Sequence, residues 1–64
     1  MTMMVGEIVE IYTGVWTKMA RVRVAGAYTR TALAFVPDAE IGDTVLMEGR
    51  VAISVEKKIE TGVS

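Results

Sequence analysis

The sequence predicts an all-β protein that folds as one small barrel of five short strands. Apolar and polar residues alternate in short runs, most clearly from Met19 to Val24, and such runs are typical of strands with one buried face. Turn residues separate the runs at regular intervals, as they do in small barrels. With 64 residues, the chain has room for a single domain, 1–64, and one modest core. The predicted strands are 3–11, 19–25, 28–36, 44–49 and 51–56.

The first predicted strand, 3–11, alternates only loosely. Val5, Val9 and Ile11 are expected on its buried face, and a turn at Gly14 follows. Trp16 is the only tryptophan of the chain. We expect it to cover one end of the core, because large aromatic side chains are mostly buried. Stacking of Trp16 on a ligand is the alternative interpretation.

The second and third strands are predicted to form a hairpin with a tight turn at Ala25-Gly26. Leu33 and Phe35 are expected to share one face of the third strand. Three arginines are expected to share the outer face of the hairpin: Arg21, Arg23 and Arg30. We interpret these arginines as solvated positions that also protect a sheet edge, with an anion-binding or partner-binding patch as the alternative.

Pro37 is predicted to end the third strand, because proline cannot donate a hydrogen bond to a sheet. Gly42-Asp43 is a turn dipeptide that leads into the fourth strand. Gly49 interrupts the following apolar run, which predicts a bulge or a sharp bend before the fifth strand. Residues 56–60 are expected to form either a fraying strand end or, at most, a short C-terminal helical turn.

The composition excludes several classes of site. The chain has no cysteine and no histidine, so it lacks the usual ligands of zinc, copper and haem, and we expect no metal and no cofactor. The formal net charge of −1 argues against a nucleic-acid partner. No run of 18 apolar residues is present, so no membrane span is expected. The N-terminus does not resemble a signal peptide, which makes the cytoplasm the expected compartment.

Catalysis is not expected either. Nucleophilic constellations that use cysteine or histidine are excluded, and no phosphate-binding glycine loop precedes a helix. Three pairs of carboxylates lie close in the sequence: Glu7 with Glu10, Asp38 with Glu40, and Asp43 with Glu48. Each of these carboxylates is expected to lie in solvent. Glu48 needs solvent, a partner or a basic neighbour such as Arg50, since it interrupts an apolar strand.

The chain resembles the HypC/HupF family of hydrogenase maturation chaperones over nearly its whole length. The resemblance is strongest in Ile41–Leu46 followed by Gly49–Ser54, and the N-terminal Gly6–Ile11 and the predicted hairpin match as well. It implies an OB-like β-barrel, usually followed by a C-terminal helix. It also implies a chaperone that helps to assemble the iron centre of NiFe-hydrogenase. Its partners would be a HypD-type maturation factor and the precursor of the hydrogenase large subunit.

Four positions depart from the family pattern. Thr2 stands where the family has its functional cysteine, Val5 replaces a proline, Glu48 replaces a histidine and Val51 replaces an aromatic residue. A hydroxyl is a poor ligand for low-spin iron compared with a thiolate, so we expect a divergent family member that carries no iron. The expected partner-binding residues form two segments: Thr2, Met3, Met4 and Val5, and Glu48, Gly49, Arg50 and Val51.

Two other functions fit the same sequence. The chain is 52% apolar, so some apolar surface is expected to need a second chain as cover. A self-associating barrel within a larger complex is therefore the first alternative. A nucleic-acid-binding OB module is the second and weaker one, because the charges are balanced and the four aromatic residues are scattered.

Overall fold

A computed structural model of the chain describes residues 3–57. They form five strands: β1 (Met3–Thr13), β2 (Lys18–Val24), β3 (Ala27–Ala32), β4 (Thr44–Glu48) and β5 (Val51–Glu56). The strands close into a barrel in the order β1-β2-β3-β5-β4, which confirms the predicted all-β, OB-like barrel. No helix occurs within 3–57. The short helical turn considered after β5 falls mostly on residues outside the described part of the chain.

β1 buries a different face at its start from the predicted one. Val5 is 59% exposed, whereas Ile8 is 1% exposed. The register of β1 against β2 shifts between Ile8 and Glu10, which is a β-bulge that inserts one extra residue. Because of this bulge, Ile8 and Ile11 both pack against the core, although they are three positions apart and a regular strand would turn them to opposite faces.

The hairpin of β2 and β3 forms as predicted. Ala20 and Val22 are fully buried, and the arginines between and beside them are exposed. Val24 pairs with Ala27, so a two-residue turn joins the strands. The turn residues have φ angles of 51° at Ala25 and 86° at Gly26.

The third strand is shorter than predicted, because the chain leaves the sheet after Ala32. Leu33 is buried, but Phe35 is 72% exposed, so the expectation that the two share one face is wrong. The amide of Val36 donates to the Leu33 carbonyl at 3.1 Å. This hydrogen bond and the similar ones that follow turn residues 33–43 into a connection made of successive turns.

The core lies inside the barrel and receives side chains from every strand and from the 33–43 connection. Its buried apolar members are Ile8, Ala20, Val22, Leu33, Val36, Ala39, Val45, Met47 and Ala52. The prediction that Trp16 covers the core is wrong, because its side chain is 94% exposed. Three residues of the connection, Leu33, Val36 and Ala39, contribute the apolar cover instead.

Candidate functional site

The two segments expected to bind a partner lie side by side in the barrel. β1 pairs with β4 in antiparallel register, which places Met3 opposite Glu48 and Val5 opposite Leu46. Residues opposite each other in such a pair have Cβ atoms about 5 Å apart. The start of β1 and the end of β4 therefore form one continuous surface. Thr2 falls outside the described residues.

We call Met3, Val5, Leu46 and Glu48 the outer β1–β4 patch. Met3 is 51% exposed and Val5 is 59% exposed, while Leu46 and Glu48 are half-buried. Met4 points the other way and packs against the core. Beside the patch, Val5 and Leu46 line a shallow cavity of about 210 Å³ together with Thr44, Ser54 and Glu56. The patch thus combines exposed apolar side chains with a carboxylate.

Glu48 makes no ion pair among residues 3–57. It lies directly opposite Met3 on one side and Val51 on the other, so its nearest cross-strand neighbours are apolar. Arg50, the basic neighbour expected from the sequence, does not pair with it. A partner that contacts this surface would therefore meet an uncompensated negative charge next to apolar side chains.

Gly49 and Arg50 form the two-residue turn between β4 and β5, since Glu48 pairs with Val51 on either side of them. Gly49 has a φ of 64°, a conformation that glycine adopts without steric cost. The predicted sharp bend is thus a hairpin turn. A register shift between Leu46 and Met47 adds an irregularity further along the same strand pair.

The side chain of Arg50 belongs to a second surface. It lines a cavity of about 340 Å³ with Tyr28, Thr29 and Arg30. The sequence predicted Arg50 as part of the same site as Met3 and Val5. The structure separates Arg50 from these residues. The two-residue turn after β4 places Arg50 next to β3, whereas Glu48 lies beside β1.

The three hairpin arginines lie on the outer face of the hairpin, as predicted. Arg21 and Arg30 are direct cross-strand neighbours. Arg21 lies 3.4 Å from the Glu10 carboxylate, and Arg23 lies 2.5 Å from the Glu7 carboxylate. These pairs are half-exposed, so each contributes about 0–1 kcal/mol to stability.

The predicted turn at Gly42-Asp43 forms, with a φ of 96° at Gly42. The prediction that all the carboxylates lie in solvent is wrong for Asp43, which is 2% exposed. Its Oδ2 atom accepts a hydrogen bond from the Glu40 amide at 2.8 Å and another from the Lys57 ammonium at 2.8 Å. Asp43 therefore closes its own turn and also binds the end of β5.

Lys57 is a structural residue that the sequence did not single out. Its ammonium donates to the backbone carbonyl of Asp38 at 2.6 Å as well as to the Asp43 carboxylate. The hydrogen bond to Asp43 raises the pKa of Lys57 above its ordinary value of 10.5, and partial desolvation opposes this effect. The carbonyl of Asp38 lies directly after Pro37, so Lys57 ties β5 to the predicted proline turn.

Within residues 3–57, acidic side chains form no cluster of three that could hold a metal ion. The same residues include no helix that is long and apolar enough to cross a membrane. Comparison of the chain with protein-family models, with curated proteins and with solved structures finds no match.

Proposed function

We propose that the chain is a non-catalytic accessory or chaperone protein of the HypC/HupF kind. It binds a metalloenzyme subunit of the NiFe-hydrogenase type, or one of that enzyme's maturation factors, and carries no iron itself. One observation carries the proposal. Two segments that are distant in the sequence, the start of β1 and the end of β4, meet in the outer β1–β4 patch, where Met3 and Val5 are more than half exposed.

The chemistry of the patch favours a protein partner. Fully burying an aliphatic side chain such as Val5 contributes about 1.5–3 kcal/mol, so a few side chains of this kind can anchor a transient complex. Glu48 adds a charge that selects a partner with a basic side chain beside its apolar contact. The resemblance to HypC/HupF proteins in Ile41–Leu46 and Gly49–Ser54 supports the choice of partner class.

The absence of an iron-carrying role is part of the same proposal. The family's thiolate is replaced by Thr2, and the chain contains no histidine or cysteine. Carboxylates and hydroxyls are poor ligands for low-spin iron. We therefore expect the protein to hold its partner in an assembly-competent state without transferring a metal fragment.

Co-purification from the native host tests this function. The full chain carries an affinity tag at its C-terminus, so that the start of β1 stays free, and the bound proteins are identified by mass spectrometry. We expect a hydrogenase large-subunit precursor or a HypD-type factor in near-stoichiometric amount. Recovery of the tagged chain without any component of a metalloenzyme assembly system would overturn the proposal.

Self-association is the second candidate, and the exposed apolar residues favour it. Ile53 in β5, the strand that pairs with β4, is 38% exposed in addition to Met3 and Val5, and exposed apolar surface often lies between subunits. Light scattering across a range of protein concentrations separates the two functions. A stable dimer that dissociates in a Val5→Asp variant would favour self-association. A wild-type chain that stays monomeric would favour binding of the proposed metalloenzyme or maturation protein.

A further inference from the structure

The outer β1–β4 patch continues onto β5, so the surface is three strands wide. Leu46 lies at its centre, opposite Val5 on β1 and opposite Ser54 on β5. We call the surface the three-strand face, and it consists of the outer β1–β4 patch and three exposed residues beside it, Thr44, Ser54 and Glu56. The shallow cavity of about 210 Å³ lies on this face, because all of its lining residues belong to it.

The backbone in the middle of the three-strand face has no free hydrogen-bonding edge. β4 pairs with β1 and with β5 along its whole length, Thr44–Glu48. A partner segment that lies over β4 therefore contacts side chains and gains no strand pairing. A helix suits such a contact because its backbone hydrogen bonds are internal. Its width of about 10 Å also matches the distance across three strands.

Two carboxylates lie toward opposite ends of the three-strand face, and neither makes an ion pair among residues 3–57. Glu48 is the last residue of β4, and Glu56 lies opposite Thr44, the first. Four residues of strand, about 13 Å, separate these two positions along β4. Leu46 and Val5 lie between them. The face thus presents an apolar centre between two negative charges.

The cations nearest in sequence to these carboxylates contact other parts of the chain. Arg50 follows Glu48 by two residues, but it lines the cavity beside β3. Lys57 follows Glu56 directly, but its ammonium donates to the Asp43 carboxylate at 2.8 Å. Both glutamates therefore remain open to cations of a partner.

We propose that the three-strand face binds a basic amphipathic helix of a partner protein. Apolar side chains along one side of that helix contact Val5 and Leu46, and two lysine or arginine side chains contact Glu48 and Glu56. A separation of about 13 Å corresponds to about nine helical residues. Basic residues about seven to eleven positions apart on one side of the helix therefore reach both carboxylates. The inference rests on the proposed protein-binding role of the outer β1–β4 patch, and it adds the conformation and the charge of the bound segment.

Fluorescence anisotropy of a labelled helical peptide tests the inference on the full chain. The probe has about 18 residues, which is long enough to form a helix, with leucines along one side and two lysines beside them at the spacing given above. The matched control peptide carries glutamates in place of both lysines. We expect saturable binding of the lysine peptide in low salt. It should bind about tenfold more tightly than the glutamate peptide, because two attractive contacts are replaced by repulsive ones.

Variants of the chain assign the binding to this face. Glu56→Gln should weaken binding of the lysine peptide by about two- to fivefold, since an exposed ion pair contributes modestly. Val5→Thr keeps the shape of the side chain but places a hydroxyl in the apolar contact, so it should weaken binding by about fivefold or more. Glu10→Gln is the control, because Glu10 is exposed, pairs with Arg21 and lies outside the face. It should leave the affinity unchanged.

Four outcomes would overturn the inference. The first is no saturable binding of the lysine peptide, and the second is equal binding of the lysine and glutamate peptides. The third is equal binding of a lysine peptide with a central proline, which breaks a helix and would indicate an extended segment as the occupant. The fourth is a dimer of the chain that the lysine peptide does not dissociate, which would assign the face to a second copy. The peptides contain no hydrogenase sequence, so this inference and the proposed metalloenzyme partner fail separately.

Discussion

Ala25 adopts a backbone conformation that residues with a side chain rarely take. Its φ is 51°, and the following Gly26 has a φ of 86°. Two positive φ angles in a two-residue hairpin turn are typical of type I′ geometry, in which Asn-Gly is the favoured pair. Alanine in this region costs about 1–2 kcal/mol, whereas asparagine tolerates it. The turn between β2 and β3 is therefore not optimised for stability.

Ala25→Asn should raise the free energy of unfolding by up to about 1 kcal/mol, because asparagine relieves part of this backbone cost. Urea denaturation of the wild type and the variant measures the difference. Ala27→Asn is the matched control and should bring no gain, since residue 27 begins β3 and asparagine is disfavoured in strands. Equal or lower stability of Ala25→Asn would contradict the assigned turn geometry.

At single positions, sequence periodicity predicted β2 well and the start of β1 badly. Ala20 and Val22 face the core as their alternation indicates. In β1, Gly6 is buried, and a Cβ atom there would lie 2.8 Å from the Arg23 carbonyl oxygen. The core-facing side of β1 therefore begins with Gly6, because β2 lies too close for a larger side chain. A hydropathy pattern does not indicate how close two strands lie, so it predicted that Val5 faces the core.

At the scale of elements, the 33–43 connection is held in place through Asp43. Its carboxylate binds the Glu40 amide and Lys57, and its carbonyl accepts from the Ile8 amide at 3.0 Å. One residue thereby joins the connection to β1 and to the end of β5. Because the Asp43 carboxylate is buried, loss of its charge leaves the Glu40 amide and the Lys57 ammonium with a weaker hydrogen-bond acceptor.

Asp43→Asn should lower the free energy of unfolding by about 1–3 kcal/mol, since the amide cannot replace the charged acceptor of Lys57. Chemical denaturation measures the loss. Asp38→Asn, the same change at an exposed position, is the control and should stay within about 0.5 kcal/mol of the wild type. Similar effects at both positions would mean that the buried carboxylate does not organise the connection.

The contact between Lys57 and Asp43 makes the free energy of unfolding depend on pH in the alkaline range. The pKa of Lys57 is raised in the folded protein, mainly by the hydrogen bond to Asp43. Its contribution is therefore complete below the ordinary pKa of 10.5 and is lost as the pH rises through the raised folded-state value. The stability difference between wild type and Lys57→Gln should be constant up to about pH 9 and shrink above 10.5. A difference that is unchanged across this range would contradict the contact.

Four of the five strands match their predicted positions closely, and the third does not. The apolar residues that follow Ala32 predicted that the third strand continues to residue 36. They instead enter the core from a series of turns, because β3 ends where Arg50 meets it in the parallel contact with β5. That contact joins distant parts of the chain. Local patterns contain no information on such a contact, and the same reason explains why the sequence grouped Arg50 with Met3 and Val5 and not with Arg30.

At the scale of the whole molecule, the barrel presents two surfaces that differ in charge. The outer β1–β4 patch presents Met3, Val5 and Glu48, and the Glu48 carboxylate makes no ion pair among residues 3–57. The outer face of the β2–β3 hairpin presents arginine side chains. The resemblance alone grouped segments 2–5 and 48–51, and the barrel brings Met3, Val5 and Glu48 of these segments onto one surface. The periodicity also placed the hairpin arginines on the outer face, but it did not place Arg50 beside Arg30, because that arrangement depends on the contact between β3 and β5.

The most direct measurement is isothermal titration calorimetry of the purified chain against the large-subunit precursor or the HypD-type factor of the same organism. We predict saturable, near-equimolar binding that Val5→Asp weakens at least tenfold, because it places a charge in the apolar contact. Val15→Asp makes the same change at a site that is 89% exposed and outside the patch, and it should bind as the wild type does. No binding to either protein, or equal losses in both variants, would contradict the account.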